Sequence, residues 1–167
     1  MFQIGDLVTY GIHGVCRIAD QEERTVEHRK IRYLVLTQLE QTGARFLVPT
    51  HNEAALSKLR RILTREELEA LLRSEEVRRD TWIADENQRK QRYRELIGSG
   101  DRTALLQMIG SILRHRESQT AAGRKLHLCD DNFLRDAERL INGEFSRILG
   151  IDPGQVGGYV RDALRDA

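Results

Sequence analysis

The chain has 167 residues, and its 27 lysines and arginines nearly balance 26 aspartates and glutamates, for a formal net charge of +1. This balance excludes the strongly basic tail of a bulk nucleic-acid binder, and the length suits one medium domain or two small ones. No apolar run reaches the roughly 20 residues of a membrane helix. The amino terminus lacks the pattern of a secretory signal, and two distant cysteines offer no disulfide framework. We therefore expect a cytoplasmic protein without membrane contact.

Short strands dominate the first part of the chain. Runs rich in β-branched and aromatic residues lie at 7–10, 15–18, 31–37 and 45–48. Glycines and a turn at Gln41–Gly43 separate these runs, and Pro49 ends the last one because proline has no N–H to donate. No long helical pattern interrupts them. The pattern predicts a small antiparallel barrel or a strongly bent sheet.

After Pro49 the hydrophobic spacing becomes helical. Thr64 and Glu67 have the spacing of a capping box, which predicts the start of a helix. Further helices are predicted from Thr81 to Ile97, after a cap at Asp101, after a cap at Asp130 or Asp131, and from Pro153. The fold class is therefore α+β, with an amino-terminal β domain and an all-α domain after it. The predicted division is a β domain at 1–55, a linker at 56–63 and a helical domain at 64–167.

The sequence offers little for catalysis. Gly5, Gly11 and Gly14 lack the spacing of a phosphate-binding loop, and Ser99 lacks the signature of a nucleophile. We therefore expect a protein that is not an enzyme and has no cofactor. His13, which lies between two of these glycines, could shape a turn or contact a partner, and the turn is favoured.

His127 and Cys129 lie two residues apart and could ligate a metal ion. A structural zinc site usually needs four nitrogen or sulfur ligands, commonly in paired clusters, and the sequence shows no second cluster. A helix N-terminus capped by Asp130 or Asp131 is therefore favoured, and no metal site is predicted.

Trp82, the only tryptophan, lies in a segment, residues 73–116, with ten basic and seven acidic side chains. An aromatic ring flanked by arginines on a helix suits nucleic acid, because arginine neutralises phosphates and the ring packs against a base. The residues near Trp82 on such a helix are Glu86, Arg89, Lys90, Arg92 and Tyr93. The alternative is that Trp82 anchors the helical core, and spacing alone favours this alternative.

The opening segment FQIGDLVTYGIHGV, residues 2–15, resembles the start of the CarD/CdnL family of bacterial transcription regulators. The likeness continues at residues 33–36 and 46–49 of the β half. In the helical half it includes Trp82, Arg89, the Ser99–Asp101 break, Lys125–His127 and Ala137–Leu140. Trp82 lies one helical turn farther from the Ser-Gly-Asp break than the tryptophan of better-known members does.

The resemblance implies a two-domain, non-catalytic regulator. Its amino-terminal part would be a Tudor-like, SH3-like barrel that binds the β subunit of RNA polymerase, a domain shared with transcription-repair coupling factor. Its helical part would contact promoter DNA at the upstream edge of the bubble, with little sequence readout, and a tryptophan wedge would stabilise the open complex. A monomer is favoured.

The resemblance also implies two sets of site residues. The polymerase-binding set is Arg24, Val26, Arg45, Phe46 and Leu47. The DNA-binding set is Trp82, Arg89, Lys90, Arg92 and Tyr93. The alternative function is a non-enzymatic adaptor whose helical domain binds another protein and never DNA.

Overall fold

Strands come first in the chain and helices follow, in a computed structural model that describes residues 2–40 and 44–165. The chain divides into two units, Met1–Ile62 and Leu63–Ala167. The predicted α+β class is confirmed at this level. The turn predicted at Gln41–Gly43 lies outside the described residues. Within the described part of the chain, no helix is long and apolar enough to cross a membrane.

The first unit contains an antiparallel sheet of five strands in the order β4-β3-β2-β1-β5. The strands are β1 Leu7–Tyr10, β2 Val15–Val26, β3 Arg29–Gln38, β4 Arg45–Pro49 and β5 Leu59–Arg61. One face of the sheet buries a core of Val8, Cys16, Ile18, Leu34, Leu36, Val48 and Leu59. Burial raises the pKa of the Cys16 thiol to about 11, so this side chain remains a neutral core residue at physiological pH.

Strand β2 is longer than the sequence pattern indicates. It continues to Val26 and pairs with β3 as far as Arg29, through a turn at Glu27 and His28 with φ angles of 49° and 66°. The residues from Ala19 onward are mostly exposed, so they carry no alternation of apolar and polar side chains that would predict a strand.

The segment 56–63, predicted as a linker, instead contributes a strand to the sheet. Strand β5 pairs with β1 in a register that sets Leu59 opposite Tyr10 and Arg61 opposite Val8. A short helix, α1 Glu53–Leu56, precedes it and is capped by the side chain of Asn52. A strand of three residues is too short to produce a detectable period, and this explains the difference.

The second unit contains helices α2 Arg65–Arg73, α3 Glu86–Ser99, α4 Arg102–Ala121, α5 Leu128–Leu149 and α6 Pro153–Arg165. The capping box of Thr64 and Glu67 forms as predicted, and Asp101 caps α4 by accepting from the backbone N–H of Ala104. The polar stretch 117–125 predicts a loop on sequence alone, but helix α4 continues to Ala121.

A buried ion pair joins two of these helices beside the apolar core. Arg102 at the start of α4 donates from Nε to both carboxylate oxygens of Glu144 on α5, at 2.7 and 2.8 Å. The Glu144 carboxylate also accepts from the backbone N–H of Leu63 at 3.3 Å. Because its charge is paired and hydrogen-bonded, Glu144 can lie 2% exposed in the interior.

Helix α3 begins later than predicted. Asp85 caps it by accepting from the backbone N–H groups of Asn87 and Gln88, so the first helical residue is Glu86. Trp82 therefore lies in the extended segment before the helix, and the predicted helical face through Trp82 and Glu86 does not exist. The helical spacing of Trp82 and Glu86 suggests that the helix includes Trp82. The Asp85 side chain instead caps the helix, so the helix begins after Asp85.

The core of the helical unit gives the first stability prediction. Ile112 on α4 is 0% exposed, whereas Leu128 at the start of α5 is 71% exposed. We expect Ile112→Ala to lower the free energy of unfolding by about 2–5 kcal/mol, because it leaves a cavity in the packed interior. The matched control Leu128→Ala should change it by less than about 0.5 kcal/mol. Chemical denaturation followed by helical circular dichroism measures both, and equal losses would contradict the packing described above.

Candidate functional site

The extended segment that carries Trp82 is fastened to α4. The backbone N–H of Thr81 donates to the hydroxyl of Ser111 at 2.9 Å. The backbone N–H of Trp82 donates to the carboxylate of Asp80 at 3.1 Å, and this bond is the main cause that lowers the pKa of Asp80. The segment thus holds the indole in one place although it lies outside any helix.

The indole ring of Trp82 packs between two side chains. The imidazole of His115 on α4 stacks on it, with ring centroids 3.7 Å apart and an interplanar angle of 16°. The guanidinium carbon of Arg89 lies 4.4 Å from the ring centroid, which is a cation–π distance. Trp82 packs against the helical core yet stays partly exposed. It therefore combines both roles that the sequence left open, an anchor and a surface aromatic.

Arg89 lies beneath the indole and is only 6% exposed. Its guanidinium donates two bonds to the carboxylate of Asp130 on α5, at 2.8 and 3.0 Å, and a third to the carbonyl of Ile83 at 3.1 Å. The hydrogen bond to Asp130 is the main cause that raises the pKa of Arg89. Tyr93 completes this buried group, since its hydroxyl donates to Asp130 at 3.0 Å and burial raises its pKa.

These positions correct part of the predicted DNA-binding set. Arg89 and Tyr93 are each 6% exposed, so neither side chain has surface to offer a phosphate. The sequence placed them on one face with Trp82, but that face of α3 packs against α5 and turns inward. Asp130, predicted as a helix cap, is instead the buried acceptor of the group, and His127 caps α5 by accepting from the N–H of Cys129.

Lys90 and Arg92 lie on the outer side of α3. The Lys90 ammonium is 3.0 Å from the Glu86 carboxylate, and the Arg92 guanidinium is 3.1 Å from that of Glu95. The side chains of Arg92 and Glu95 are each 55% exposed. Surface pairs of this kind contribute about 0–1 kcal/mol, so an incoming phosphate can replace the carboxylate partner.

A groove of about 460 Å³ opens beside the indole, and sequence reasoning missed most of its residues. Its lining includes Trp82, His115, Gln119, Arg124, Lys125 and His127. Gln119 and His115 are one turn apart on α4, and their side chains lie 3.1 Å apart. The sequence could have indicated His115 and Gln119 only through their i, i+4 spacing, because the polar residues from 117 to 125 are more typical of a loop. The groove combines an aromatic wall with exposed cationic side chains.

The polymerase-binding set falls mostly on one face of the sheet. Arg24 is opposite Ile31 on β3, and Leu47 is opposite Val35. Ile31 and Val35 are four residues apart on one strand, so their side chains and those of their cross-strand partners leave the same face. Val26 and Arg45 share this face, because each lies two residues from Arg24 or Leu47. Val26 is 42% exposed and Leu47 39% exposed, so the face offers apolar surface beside two arginines.

Phe46 is the exception in this set. It alternates with Leu47 along β4 and packs on the opposite side, against the core of the sheet. Its ring centroid is 4.1 Å from that of His13 and 6.0 Å from that of Tyr10. His13 belongs to the turn favoured by the sequence, and its carbonyl accepts from the amide of Gln38 at 2.7 Å. Phe46 therefore packs on the core side of β4, and Leu47 lies on the opposite face.

Three groups able to ligate a metal ion meet where α3 and α5 begin. The ligand atoms of Glu86, His127 and Cys129 all lie within 4.8 Å of one another. The Nε2 of His127 lies 3.5 Å from a carboxylate oxygen of Glu86. The sequence pointed to His127 and Cys129 but could not supply Glu86, which is distant along the chain and comes from another helix.

A comparison with protein families matches the first part of the chain. Residues 2–63 match the family model described as CarD-like/TRCF RID domain. The matched residues end where the helical unit begins. No curated protein matches the chain.

The buried group around Arg89 can be tested by removing one charge. Asp130→Asn keeps the shape of the side chain but leaves the Arg89 charge without a counter-ion in the interior. We expect a loss of about 3–5 kcal/mol in the free energy of unfolding, together with a shift in the fluorescence of Trp82, which contacts Arg89.

Asp131→Asn is the matched control, one residue away on the same helix. Its carboxylate pairs with Arg135 at 2.9 Å, and the Arg135 side chain is 75% exposed. This variant should lose less than about 1 kcal/mol and leave the fluorescence unchanged. Similar losses in the two variants would mean that Asp130 contributes only as a residue of the first helical turn.

Proposed function

We propose, from the match of residues 2–63 to the CarD-like/TRCF RID domain, that the chain is a transcription regulator that binds the β subunit of RNA polymerase and contacts promoter DNA at the upstream edge of the bubble. RID domains interact with the polymerase β subunit, and this supports the first half of the proposal. The DNA contact and the stabilisation of the open complex form its second half. A five-stranded antiparallel sheet suits the Tudor-like, SH3-like class of barrel, and we include this class in the proposal.

The exposed sheet face supports the polymerase contact. Arg24 and Arg45 offer charge, and Val26 and Leu47 offer apolar surface, which is the mixture found at specific protein interfaces. An exposed strand edge adds to it. Among the described residues, β1 pairs with β2 only as far as Arg17, whereas β2 continues along β3 to Val26. Ile18 still bonds Asp6 and Gly5 through its N–H and carbonyl. Beyond Ile18 this edge of β2 pairs with no strand among the described residues, so a partner strand could add there.

The groove beside Trp82 supports the DNA contact. Because His115 and Arg89 cover the faces of the indole, it is the exposed edge of the ring that can contact a base. Arg124 and Lys125 can neutralise phosphates beside it. Weak affinity is sufficient here, because attachment to polymerase raises the local concentration of the second unit at the promoter. The open complex would be favoured only by as much as its DNA binds better than closed duplex. No recognition helix is involved in this proposal, so little sequence readout is expected.

The proposal contains no catalytic step, and a regulator of this kind works as a monomer in the bacterial cytoplasm, where polymerase and promoter DNA are. The second candidate function is a protein adaptor whose helical unit never binds DNA. The burial of Arg89 and Tyr93 favours this alternative, because it removes one cation and one aromatic ring from the predicted DNA-binding set. The exposed Arg124 and Lys125 in the groove favour the first candidate, the regulator that contacts DNA. Experiments on polymerase binding and on the open complex test the proposal, and the salt dependence of DNA binding separates the two candidates.

The first experiment measures binding to the isolated polymerase β subunit. Arg24→Glu should weaken binding by about tenfold or more, because it reverses a charge on the proposed face. Arg32→Glu is the matched control on the other face of the same hairpin. Arg24 lies 2.9 Å from Glu22 and Arg32 lies 3.9 Å from Glu23, so each variant places a glutamate beside an existing one. The control should bind normally. If both variants bind as tightly as the wild type, this face is not the polymerase contact.

The second experiment measures binding to forked DNA and the lifetime of the open promoter complex. Trp82→Ala should shorten that lifetime, whereas Trp82→Phe should keep part of it, because phenylalanine can still stack on His115. Thermal unfolding of both variants shows whether the unit stays folded. An unchanged lifetime in a folded Trp82→Ala protein would return this residue to a purely structural role.

Salt dependence distinguishes DNA binding from the adaptor function. Affinity for forked DNA should fall as salt rises, and Lys125→Gln should reduce the slope by about 0.7–0.9, the contribution of one phosphate contact. Lys58→Gln, in the first unit, is the control and should leave the slope unchanged. Absence of any DNA binding by the wild-type chain, with polymerase binding intact, would favour the adaptor.

A further inference from the structure

Glu86, His127 and Cys129 bring three different ligand types together from two helices. In a tetrahedral zinc site, bonds of about 2.0–2.3 Å place neighbouring ligand atoms about 3.4–3.7 Å apart. The 3.5 Å between Nε2 of His127 and the Glu86 carboxylate already meets this spacing. The remaining separations, within 4.8 Å, need about 1 Å of movement by side chains at the surface. The Glu86 side chain is 44% exposed and that of His127 56% exposed, so both can move.

We propose that Glu86, His127 and Cys129 form a binding site for a divalent zinc ion. A thiolate and an imidazole are ligands that select zinc over magnesium or calcium, and the carboxylate makes a third. Three protein ligands leave the fourth tetrahedral position to water. Binding replaces the thiol proton of Cys129, which passes to solvent.

Two existing interactions compete with the metal. The Lys90 ammonium pairs with Glu86 at 3.0 Å, and the Nδ1 of His127 accepts the backbone N–H of Cys129 at 3.3 Å. A neutral histidine that accepts at Nδ1 carries its proton on Nε2, so ligation through Nε2 requires the other tautomer and the loss of this bond. Both interactions are long or exposed and can be exchanged. The competition makes the affinity moderate and gives the test a variant that should bind more tightly.

A bound ion would connect the first turns of α3 and α5. It would also raise the net charge at the end of the groove by one, because the two charges of the ion are partly offset by the loss of the Cys129 proton and His127 lines that groove as well. The metal site itself is independent of the proposed function, since neither polymerase nor DNA takes part in it.

The test uses the full, reduced, untagged chain and zinc alone. Competition with a chromophoric chelator should give one zinc per chain, and cobalt substitution should give a thiolate-to-metal charge-transfer band. Saturating zinc should raise the midpoint of thermal unfolding by at least about 4 °C. Failure to take up zinc, or a cobalt spectrum without the thiolate band, overturns the proposal.

Variants identify the ligands without unfolding the chain. His127→Asn keeps a side chain that can cap α5 but removes the imidazole, and with Cys129→Ser it should weaken zinc binding by at least about tenfold. Lys90→Met should strengthen it about threefold, because Glu86 loses its competing partner. Glu95→Gln is the control and should bind as the wild type does, because Glu95 is also on α3 and is also paired with a basic side chain, that of Arg92. Unchanged binding in His127→Asn and Cys129→Ser would locate the zinc elsewhere and overturn the assignment.

Discussion

The buried pair of Arg89 and Asp130 is the interaction on which the arrangement of the second unit depends. Removing two charges from water is costly, and the cost is offset only when every donor and acceptor finds a partner. Here the guanidinium donates to both carboxylate oxygens and to backbone carbonyls of Ile83 and Ala84, while Tyr93 donates to the same carboxylate. Because the carbonyls belong to the segment before α3, the pair positions Trp82 together with the two helices.

The cations around Trp82 fall into two groups, one buried in this ion pair and one exposed in the groove. Arg89 is neutralised in the interior and stabilises the indole from below, so it adds no charge to the surface that a partner meets. Arg124 and Lys125 are exposed in the groove and can exchange water for phosphate. A net charge of +1 is thus compatible with a local cationic groove of modest strength. Such a groove suits a protein delivered to DNA by a second binding site, because its own affinity can stay weak.

Local signals in the sequence were sufficient for elements whose ends depend on nearby residues. The capping box of Thr64 and Glu67 and the Asp101 cap are examples, because each involves residues within one helical turn. The start of α3 is predicted too early, because helical spacing continues back to Trp82 and does not reveal that Asp85 caps the helix. The burial of Arg89 was beyond prediction, because its partner Asp130 lies 41 residues away. The same distance in sequence hid Glu86 from His127 and Cys129.

The first unit shows how the core determines which residues a partner can meet. Along β4, Phe46 and Val48 point into the core opposite Leu36 and Leu34, so Arg45 and Leu47 must face outward. A shift of one residue in this register would bury Arg45 and Leu47 and expose the two apolar side chains. The register of β4 against β3 is therefore fixed by the free-energy cost of burying Arg45 and exposing Phe46 and Val48. The exposed face acquires its mixture of charge and apolar surface as a direct consequence of how the interior is filled.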